Sequence, residues 1–335
     1  PMINEVIKNK LKELPHLPGI YKMLDNKGNI IYVGKSKCLN KRVKSYFAAT
    51  PTWEKVKKMV GLIQDIDYVV TDTHLEARLL ECELIKSIKP VFNSQMKNDN
   101  RYVYLSVGNN HKQAPLTVTA YPAENSFGPF RSKHTLIDAV SYFNNLYPLT
   151  KDEGSYQFNY HILPCIMDKD NFLKTREALL EILGSSINLE VMIRLNEEKM
   201  MTAASELKFE TASFYRDVIS GLKYMKHGID GYSSLLNRKI ILKIPSEKGV
   251  KLFLVSEGNI IHKKLYKTMC RKNLDAFIRK GNETLIKDNL PLFPTKGLIV
   301  NTYDKEFMTE KMSIDFRDIL YSEITSLSED KLLFL

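Results

Sequence analysis

The chain has 335 residues, of which 44% are hydrophobic and 26% are charged, a composition typical of a globular protein with two or three domains. Its net charge of +10 favours an anionic partner, with nucleic acid as the leading candidate. Four scattered cysteines without a C-x-x-C pair argue against a zinc site, an iron–sulfur site and a disulfide framework. No apolar run is long enough to span a membrane, so we expect no membrane partner and a cytoplasmic location.

After a short amphipathic helix within residues 2–14, the sequence predicts a β-hairpin. The apolar runs GIY at 19–21 and IIYVG at 30–34 flank the turn-forming sequence DNKGN. If the turn takes two or three residues, Tyr21 and Tyr32 lie opposite, or nearly opposite, each other on neighbouring strands. Two phenol hydroxyls then lie close together at one end of a small sheet.

The helix that follows the hairpin adds cationic groups to this end of the sheet. Lys35 directly follows the second strand, and Arg42 and Tyr46 share a helix face because they lie one turn apart. Tyrosines, a lysine and an arginine collected in this way form a candidate phosphate site. From the residues alone, a structural alternative stays open: a cross-strand aromatic pair that stabilises the hairpin, beside exposed helix cations.

Residues 53–90 predict a helix, a strand and a second helix. The first helix runs from about Trp53 to Ile63, and the strand covers 66–71. Thr73 and Glu76 have the spacing of a capping box, and Pro90 ends the helix that they open. Within that helix we expect Glu83 to be a solvated surface charge.

The ordered motifs GIY, YVGKS, RVKSYF and TDTHLEARLLECELIKSIKPVFN resemble the GIY-YIG endonuclease family, with YVG in place of YIG. They are most similar to its UvrC-like and Cho-like excision-repair members. The resemblance covers most of residues 10–105. It implies an α/β (α+β) nuclease domain whose central antiparallel sheet is flanked by helices.

The resemblance also implies a catalytic site. The family's motif positions are occupied here by Tyr21, Tyr32, Gly34, Lys35, Arg42, Tyr46, Glu81 and Asn93. By resemblance, the two hairpin tyrosines flank the scissile phosphate, and Tyr21 orients or deprotonates the attacking water. Because free tyrosine titrates at about 10, deprotonation of the water by Tyr21 needs help from the positive charges of Lys35 and Arg42. Arg42 braces the phosphate oxygens, since its fork fits them bidentately.

The remaining positions receive supporting roles from the same resemblance. Glu81 corresponds to the metal ligand, and one carboxylate with waters and phosphate oxygens suits a single Mg²⁺ or Mn²⁺ ion. Gly34 lets the backbone approach the phosphate. Tyr46 orients Arg42 or the nucleotide, and Asn93 is a hydrogen-bond brace near the phosphate.

Residues 106–187 are predicted to connect the nuclease domain to the next module. RYVYLSV and PLTVTAYP predict strands, and a turn at FGPF leads into a helix. The related segment of the family carries a cluster of four cysteines, whereas only Cys165 lies in the matching neighbourhood here. This departure argues against a metal cluster.

Residues 188–228 predict an antiparallel helical hairpin that joins near residues 207–209. Its sequence resembles the UVR motif, through which subunits B and C of the repair system pair. The resemblance implies a UvrB-like damage-loading partner, and the candidate partner-binding residues are Phe209, Glu210, Tyr215 and Arg216. An ordinary core hairpin is the alternative.

Residues 229–335 predict an α/β region of unknown role. KIILKIP, KLFLVSE, NIIHKKLY and GLIVNTY are strand-like, and helices are expected near Asn273–Lys280 and over Glu306–Ser326. Neither the acidic motifs of the family's second nuclease domain nor a helix-hairpin-helix signature is recognisable.

These features predict a metal-dependent endonuclease that acts on damaged double-stranded DNA in nucleotide excision repair. Because the second nuclease half is not recognised, we expect one incision, on the 3′ side of a lesion. The alternatives are a mobile-element or junction-cleaving GIY-YIG nuclease, and a catalytically silent DNA-bound adaptor of the repair complex. No segment resembles a damage-reading pocket, which is why a recognition partner is implied.

Overall fold

The computed structural model describes residues 5–48, 54–97, 102–152, 154–163, 166–236, 238–256, 258–287 and 305–335. They divide into two compact units. Unit 1 comprises residues 1–98, 235–301 and 313–335, and unit 2 comprises residues 99–234 and 302–312. No helix within the described residues is both long and apolar enough to cross a membrane.

The first part of unit 1 is a three-stranded antiparallel sheet with helices around it. Its elements are α1 (Glu5–Glu13), β1 (Gly19–Leu24), β2 (Ile30–Ser36), α2 (Leu39–Ala48), α3 (Glu54–Leu62), β3 (Asp65–Val70) and α4 (His74–Ile88). The strand order is β2-β1-β3. The predicted hairpin is confirmed, and Gly28 supplies the positive φ of +78° in its turn.

Helix α4 begins at the predicted cap, but Glu76 does more than cap it. The Thr73 hydroxyl accepts a hydrogen bond from the Glu76 backbone N–H at 3.3 Å and donates one to the Glu76 carboxylate at 3.2 Å. The same carboxylate binds Lys251 and Lys263, both at 2.9 Å. The prediction that Glu83 is a solvated surface charge was wrong: Glu83 is half-buried, and burial raises the pKa of its carboxyl.

Unit 2 combines small antiparallel sheets with long helices. Its elements are β4 (Val103–Val107), β5 (Leu116–Thr119), β6 (Ser126–Phe130), α5 (Lys133–Asn144), β7 (Leu146–Asp152), β8 (Ser155–Tyr160), α6 (Lys169–Leu183), α7 (Ser186–Ser205) and α8 (Phe209–Leu236). The helical hairpin is confirmed as α7 and α8, and Leu207 takes a left-handed φ of 58° in the join. The predicted turn at FGPF is instead part of β6, which pairs with β4. Cys165 lies outside the described residues.

The C-terminal part of unit 1 is a four-stranded antiparallel sheet with the order β11-β10-β9-β12. Its elements are β9 (Lys239–Ser246), β10 (Gly249–Ser256), β11 (Asn259–Tyr266), α9 (Arg271–Lys287), α10 (Lys305–Ser326) and β12 (Leu332–Phe334). The predicted strands over 239–266 and the last two helices are confirmed. The predicted strand GLIVNTY lies outside the described residues.

The two faces of this C-terminal sheet contact different helices. On one face, Phe253 and Val255 share a buried cluster with Leu75 and Leu79 of α4. On the other face, Leu252 and Leu254 pack with α9 through Phe277. Since α4 also packs against β1 and β2, it lies between the two sheets of unit 1.

Charged groups reinforce the contact of α4 with the C-terminal elements. The Lys251 ammonium lies 2.6 Å from Asp72, just before α4, and 2.9 Å from Glu76. Lys86 and Asp315 form an ion pair of 2.7 Å whose side chains are almost fully buried. Buried charges require such partners, so these pairs fix where α4 lies between the sheets.

Candidate active site

Three tyrosines meet at the end of the first sheet, one each from β1, β2 and α2. The register places Tyr21 opposite Gly34 and Tyr32 opposite Met23, so the two tyrosines are diagonal neighbours on adjacent strands. Their ring centroids are 6.2 Å apart, and Tyr46 lies 5.9 Å from Tyr21 and 6.2 Å from Tyr32. The hydroxyls of Tyr21 and Tyr46 share a hydrogen bond of 2.8 Å.

Burial favours the protonated phenol at two tyrosines of this cluster, Tyr21 and Tyr32. Tyr21 is 1% exposed, and burial is the main reason that its pKa lies well above the ordinary value. Burial likewise raises the pKa of the half-buried Tyr32. Arg42 lowers both pKa values without reversing the shift. In this structure the help from Arg42 that a base role of Tyr21 requires is outweighed by burial.

Gly34 makes room for Tyr21. A Cβ built on Gly34 would lie 2.4 Å from both Cζ and Oη of the Tyr21 ring. The space that a side chain would take is thus filled by an aromatic ring of the same protein. The role of Gly34 in the approach of the backbone to a phosphate stays a prediction.

Arg42 provides the cationic group beside the tyrosines. Its guanidinium carbon lies 5.0 Å from the centroid of the Tyr46 ring, as the spacing of one helical turn predicts. The arginine side chain is exposed, whereas the tyrosine is buried. Arg42 can therefore meet a ligand from solvent while Tyr46 holds its orientation.

Glu81 of α4 reaches the same end of the sheet and carries an ion pair. Its carboxylate accepts hydrogen bonds from the Lys35 ammonium at 2.6 Å and from the Lys35 backbone N–H at 3.2 Å. The Glu81 side chain is 9% exposed, whereas that of Lys35 is 38% exposed. Because the partner of this buried carboxylate is a single, partly exposed ammonium, the Glu81 oxygens suit a divalent cation in its place.

The described residues contain no group of three or more His, Cys, Asp or Glu side chains arranged to hold a metal. A single carboxylate is nonetheless sufficient for Mg²⁺, which keeps several waters and binds substrate phosphates.

Asn93 braces strand β2. Its side-chain oxygen accepts from the Val33 N–H at 3.0 Å, and its amide donates to the Val33 carbonyl at 2.9 Å. Both polar groups of the Asn93 amide therefore bond to the backbone of Val33, which lies between Tyr32 and Gly34. In this structure Asn93 positions the strand that carries the tyrosine.

The candidate partner-binding residues lie in unit 2, at and after the tip of the α7–α8 hairpin. Phe209 is 67% exposed, and Glu210 and Arg216 are also exposed. Tyr215 is half-buried against Phe214, with ring centroids 5.4 Å apart. The tip therefore offers an aromatic ring and charges of both signs, while Tyr215 belongs partly to the core of the unit.

Comparison with known proteins assigns these two regions to families. Residues 17–94 match the family model of UvrC-like GIY-YIG domains, and residues 190–224 match the UvrB/UvrC motif. Residues 17–94 are therefore a UvrC-like GIY-YIG domain, and the helical hairpin contains a UVR motif.

Over most of its length the chain is similar to UvrABC system protein C. The protein from Acetivibrio thermocellus is 32% identical over 280 residues, which cover 76% of this chain and 44% of that protein. The protein from Streptococcus pyogenes (strain Manfredo) is 33% identical over 276 residues, with coverages of 78% and 46%. This chain thus spans less than half the length of these relatives.

Solved structures are similar to part of this chain. The magnesium-bound N-terminal GIY-YIG endonuclease domain of UvrC from Thermotoga maritima is 34% identical and covers 27% of this chain and 99% of its own, with a TM-score of 0.25. A point mutant of that domain, bound to the catalytic divalent cation, is 35% identical, with a TM-score of 0.26 and coverages of 28% and 99%.

Sequence reasoning missed the contacts that join the site to distant parts of the chain. The hydrogen bond between Tyr21 and Tyr46 and the ion pair between Lys35 and Glu81 were not anticipated. The anchoring of α4 through Glu76 was also missed, because its lysine partners lie more than 170 residues later in the chain. A basic residue at an inward strand position, such as Lys251, is the one local signal that could have indicated such a pair.

Proposed function

We propose that this chain is a divalent-metal-dependent endonuclease that nicks one strand of damaged double-stranded DNA on the 3′ side of a lesion. One observation carries the proposal: in a UvrC-like GIY-YIG domain, three tyrosines and Arg42 lie at the same end of the sheet as a buried carboxylate, Glu81, whose ion-pair partner Lys35 is 38% exposed. Phosphodiester hydrolysis requires a held water, charge stabilisation and an aid to the leaving oxygen. This group of side chains supplies the first two.

Glu81 is the residue that would hold Mg²⁺ or Mn²⁺, with waters and phosphate oxygens as the other ligands. A divalent cation bound there would offset phosphate charge and lower the pKa of a bound water. With a cation held by Glu81, Lys35 would be free to contact a phosphate oxygen. Its 38% exposed side chain has the room to move, whereas the buried carboxylate is fixed.

Tyr21 acts by orienting the attacking water. Because burial keeps its phenol protonated, its hydroxyl accepts a hydrogen bond from water while donating to Tyr46, or the reverse. Arg42 binds the non-bridging phosphate oxygens with its planar fork, supported by the face of Tyr46. Asn93 holds β2, and thereby Tyr32, in place.

The test is a nicking assay on end-labelled duplex DNA that carries one bulky lesion, with Mg²⁺ or Mn²⁺ and with or without a UvrB-like subunit. We compare the native chain with Glu81→Gln and Arg42→Ala. Glu83→Gln is the matched control, because Glu83 is a half-buried carboxylate on the same helix. Loss of one oxyanion-stabilising or metal-holding group is expected to lower the rate about 10²-fold or more.

A single 3′ nick that both site variants abolish and the control retains supports the proposal. Salt-sensitive DNA binding without any nick would instead favour a silent adaptor. Cleavage that depends on a junction or on a sequence, and not on the lesion, would favour the mobile-element type of nuclease.

We further propose that the tip of the α7–α8 hairpin binds a UvrB-like subunit through Phe209, Glu210 and Arg216. A large exposed aromatic ring flanked by charges is typical of an interface anchor with a polar rim. The affinity of Phe209→Ala for that subunit is expected to fall at least about tenfold, which corresponds to ~1.4 kcal/mol.

The matched control for the hairpin is Ile187→Ala. Ile187 is 76% exposed but lies at the opposite end of the 20-residue helix α7, about 30 Å from the tip. Equal affinities of the two variants and the native chain would exclude the tip as the interface.

A further inference from the structure

A pocket of about 310 Å³ opens between the edge strand β11 and helix α9 of unit 1. Its lining residues are His262, Lys264, Tyr266, Ala276, Phe277, Arg279, Lys280 and Glu283. None of them belongs to the tyrosine cluster or to the α7–α8 hairpin. The pocket is therefore a separate feature of the C-terminal sheet.

The local structure explains why these side chains converge. His262, Lys264 and Tyr266 alternate along β11, so they point to one face of the sheet. That face is the one that α9 covers, with Phe277 as its buried anchor. Gly281 lets the helix approach closely, because a Cβ there would lie 2.4 Å from Leu254 Cδ2.

The pocket is strongly cationic. Lys264, Arg279 and Lys280 are exposed, and none of them forms an ion pair within the part of the chain that the structure describes. Glu283 is the one carboxylate that lines the pocket. Apart from Lys263, which pairs with Glu76, the surrounding segment 259–287 carries these charged residues: Lys264, Lys267, Arg271, Lys272, Arg279, Lys280 and Lys287 against Asp275 and Glu283. Such an excess of positive charge favours an anion.

The pocket also holds groups that can orient an anion. The Nε2 atom of His262 is buried and has no hydrogen-bond partner among the described residues. Burial, together with Lys280 and Lys264, lowers the pKa of His262, so a neutral imidazole faces the pocket at neutral pH. The ammonium of Lys264 lies 5.0 Å from the centroid of the Tyr266 ring, which adds an aromatic wall beside the cations.

We propose that the β11–α9 pocket binds a backbone phosphate of the DNA on which the nuclease domain acts, as an anchoring contact outside the active site. The identification of the polyanion as DNA rests on the proposed function. A duplex presents phosphates in closely spaced rows, which suits three cations that line one pocket. The contact carries no sequence information, in keeping with a nuclease that is directed to lesions by a partner.

The experiment measures DNA binding by the full chain, by fluorescence anisotropy with labelled duplex and EDTA to prevent cleavage. The test variant carries Lys264→Ala, Arg279→Ala and Lys280→Ala. The matched control, with the same change in net charge, carries Lys169→Ala, Lys174→Ala and Arg194→Ala on exposed positions of α6 and α7. Thermal unfolding of both variants verifies that they fold.

Relative to the control, we expect the dissociation constant of the test variant to rise at least about tenfold. We also expect the slope of log K against log salt to become shallower by about 0.9 for each DNA phosphate that the variant no longer neutralises. Affinity and slope equal to those of the control would overturn the proposal.

A second arm titrates inorganic phosphate while the imidazole signal of His262 is followed by NMR. A shift with inorganic phosphate but none with duplex would make the pocket a small-anion site and would also overturn the proposal. Lesion-dependent nicking by the native chain decides the proposed function separately, so the two can fail independently.

Discussion

Gly34→Ala is the substitution that most directly tests the geometry of the tyrosine cluster. The added methyl group would lie 2.4 Å from Cζ and Oη of Tyr21, whereas ordinary contact begins at 3.4 Å. The ring therefore has to move by about 1 Å, the scale at which reacting groups lose their alignment. Tyr21 is 1% exposed and hydrogen-bonded to Tyr46, so it cannot yield without shifting its neighbours.

A misplacement of this size is expected to lower the rate of nicking about 10²-fold. That factor corresponds to ~2.7 kcal/mol of activation free energy. Overpacking should also lower the free energy of unfolding by about 1–3 kcal/mol. Single-turnover nicking at saturating enzyme separates the chemical step from binding, and urea denaturation at the same temperature reports stability.

The matched control is Gly61→Ala in α3, where an added Cβ meets no atom within 4 Å. Alanine is a better helix former than glycine, so this variant should be as stable as the native chain or more stable, with unchanged nicking. If Gly34→Ala nicked at the native rate while Gly61→Ala behaved as expected, the inferred packing of Tyr21 against Gly34 would be refuted.

Two further predictions concern α4. Lys86→Met leaves the buried Asp315 without its ion-pair partner, so the free energy of unfolding should fall by about 3–5 kcal/mol. Adding Asp315→Leu should recover much of the lost stability, because no unpaired buried charge remains. Equal stability of the single and double variants in urea denaturation would contradict this prediction. His74 is half-buried beside Lys37 and Arg78, and burial together with these cations lowers its pKa from 6.5 to about 4. Because the unfolded chain takes up the proton first, stability is lost as the pH falls from about 6.5 toward 4. Denaturation at pH 7 and pH 5 should therefore show a smaller loss for His74→Gln than for the native chain, and identical losses would argue against this assignment.

Local patterns were sufficient to predict the hairpin and the elements that carry the site. The DNKGN turn and the flanking apolar runs determine β1 and β2, and helical periodicity places Arg42 over Tyr46. Thr73 marks the start of α4 because a capping hydroxyl favours a helix N-terminus and bonds to a backbone N–H only three residues later. Each of these predictions depends on residues close together in the chain.

The features that were missed or wrong depend on distant residues. The contact of Gly34 with Tyr21 was missed because it follows from the strand register, which the turn sequence alone left open. Glu83 was assigned to solvent because the helix period does not tell which elements cover each face. The strands β7, β8 and β12 were also not predicted: β12 has only three residues, whereas the alternation of polar and aromatic residues in SYQFNY of β8 is a local strand signal that was overlooked.

Helix α4 explains why the C-terminal sheet belongs to the same unit as the nuclease domain. One side of the helix presents Glu81 to Lys35 and the tyrosines, and another side presents Leu75 and Leu79 to the C-terminal sheet. Without that sheet these leucines would be exposed, and without α10 Lys86 would lack its ion-pair partner Asp315. A helix held by apolar packing on one side cannot rotate to withdraw a carboxylate on the other. The position of the candidate metal ligand therefore depends on residues 239–266 and 315–320 as well as on the nuclease domain itself.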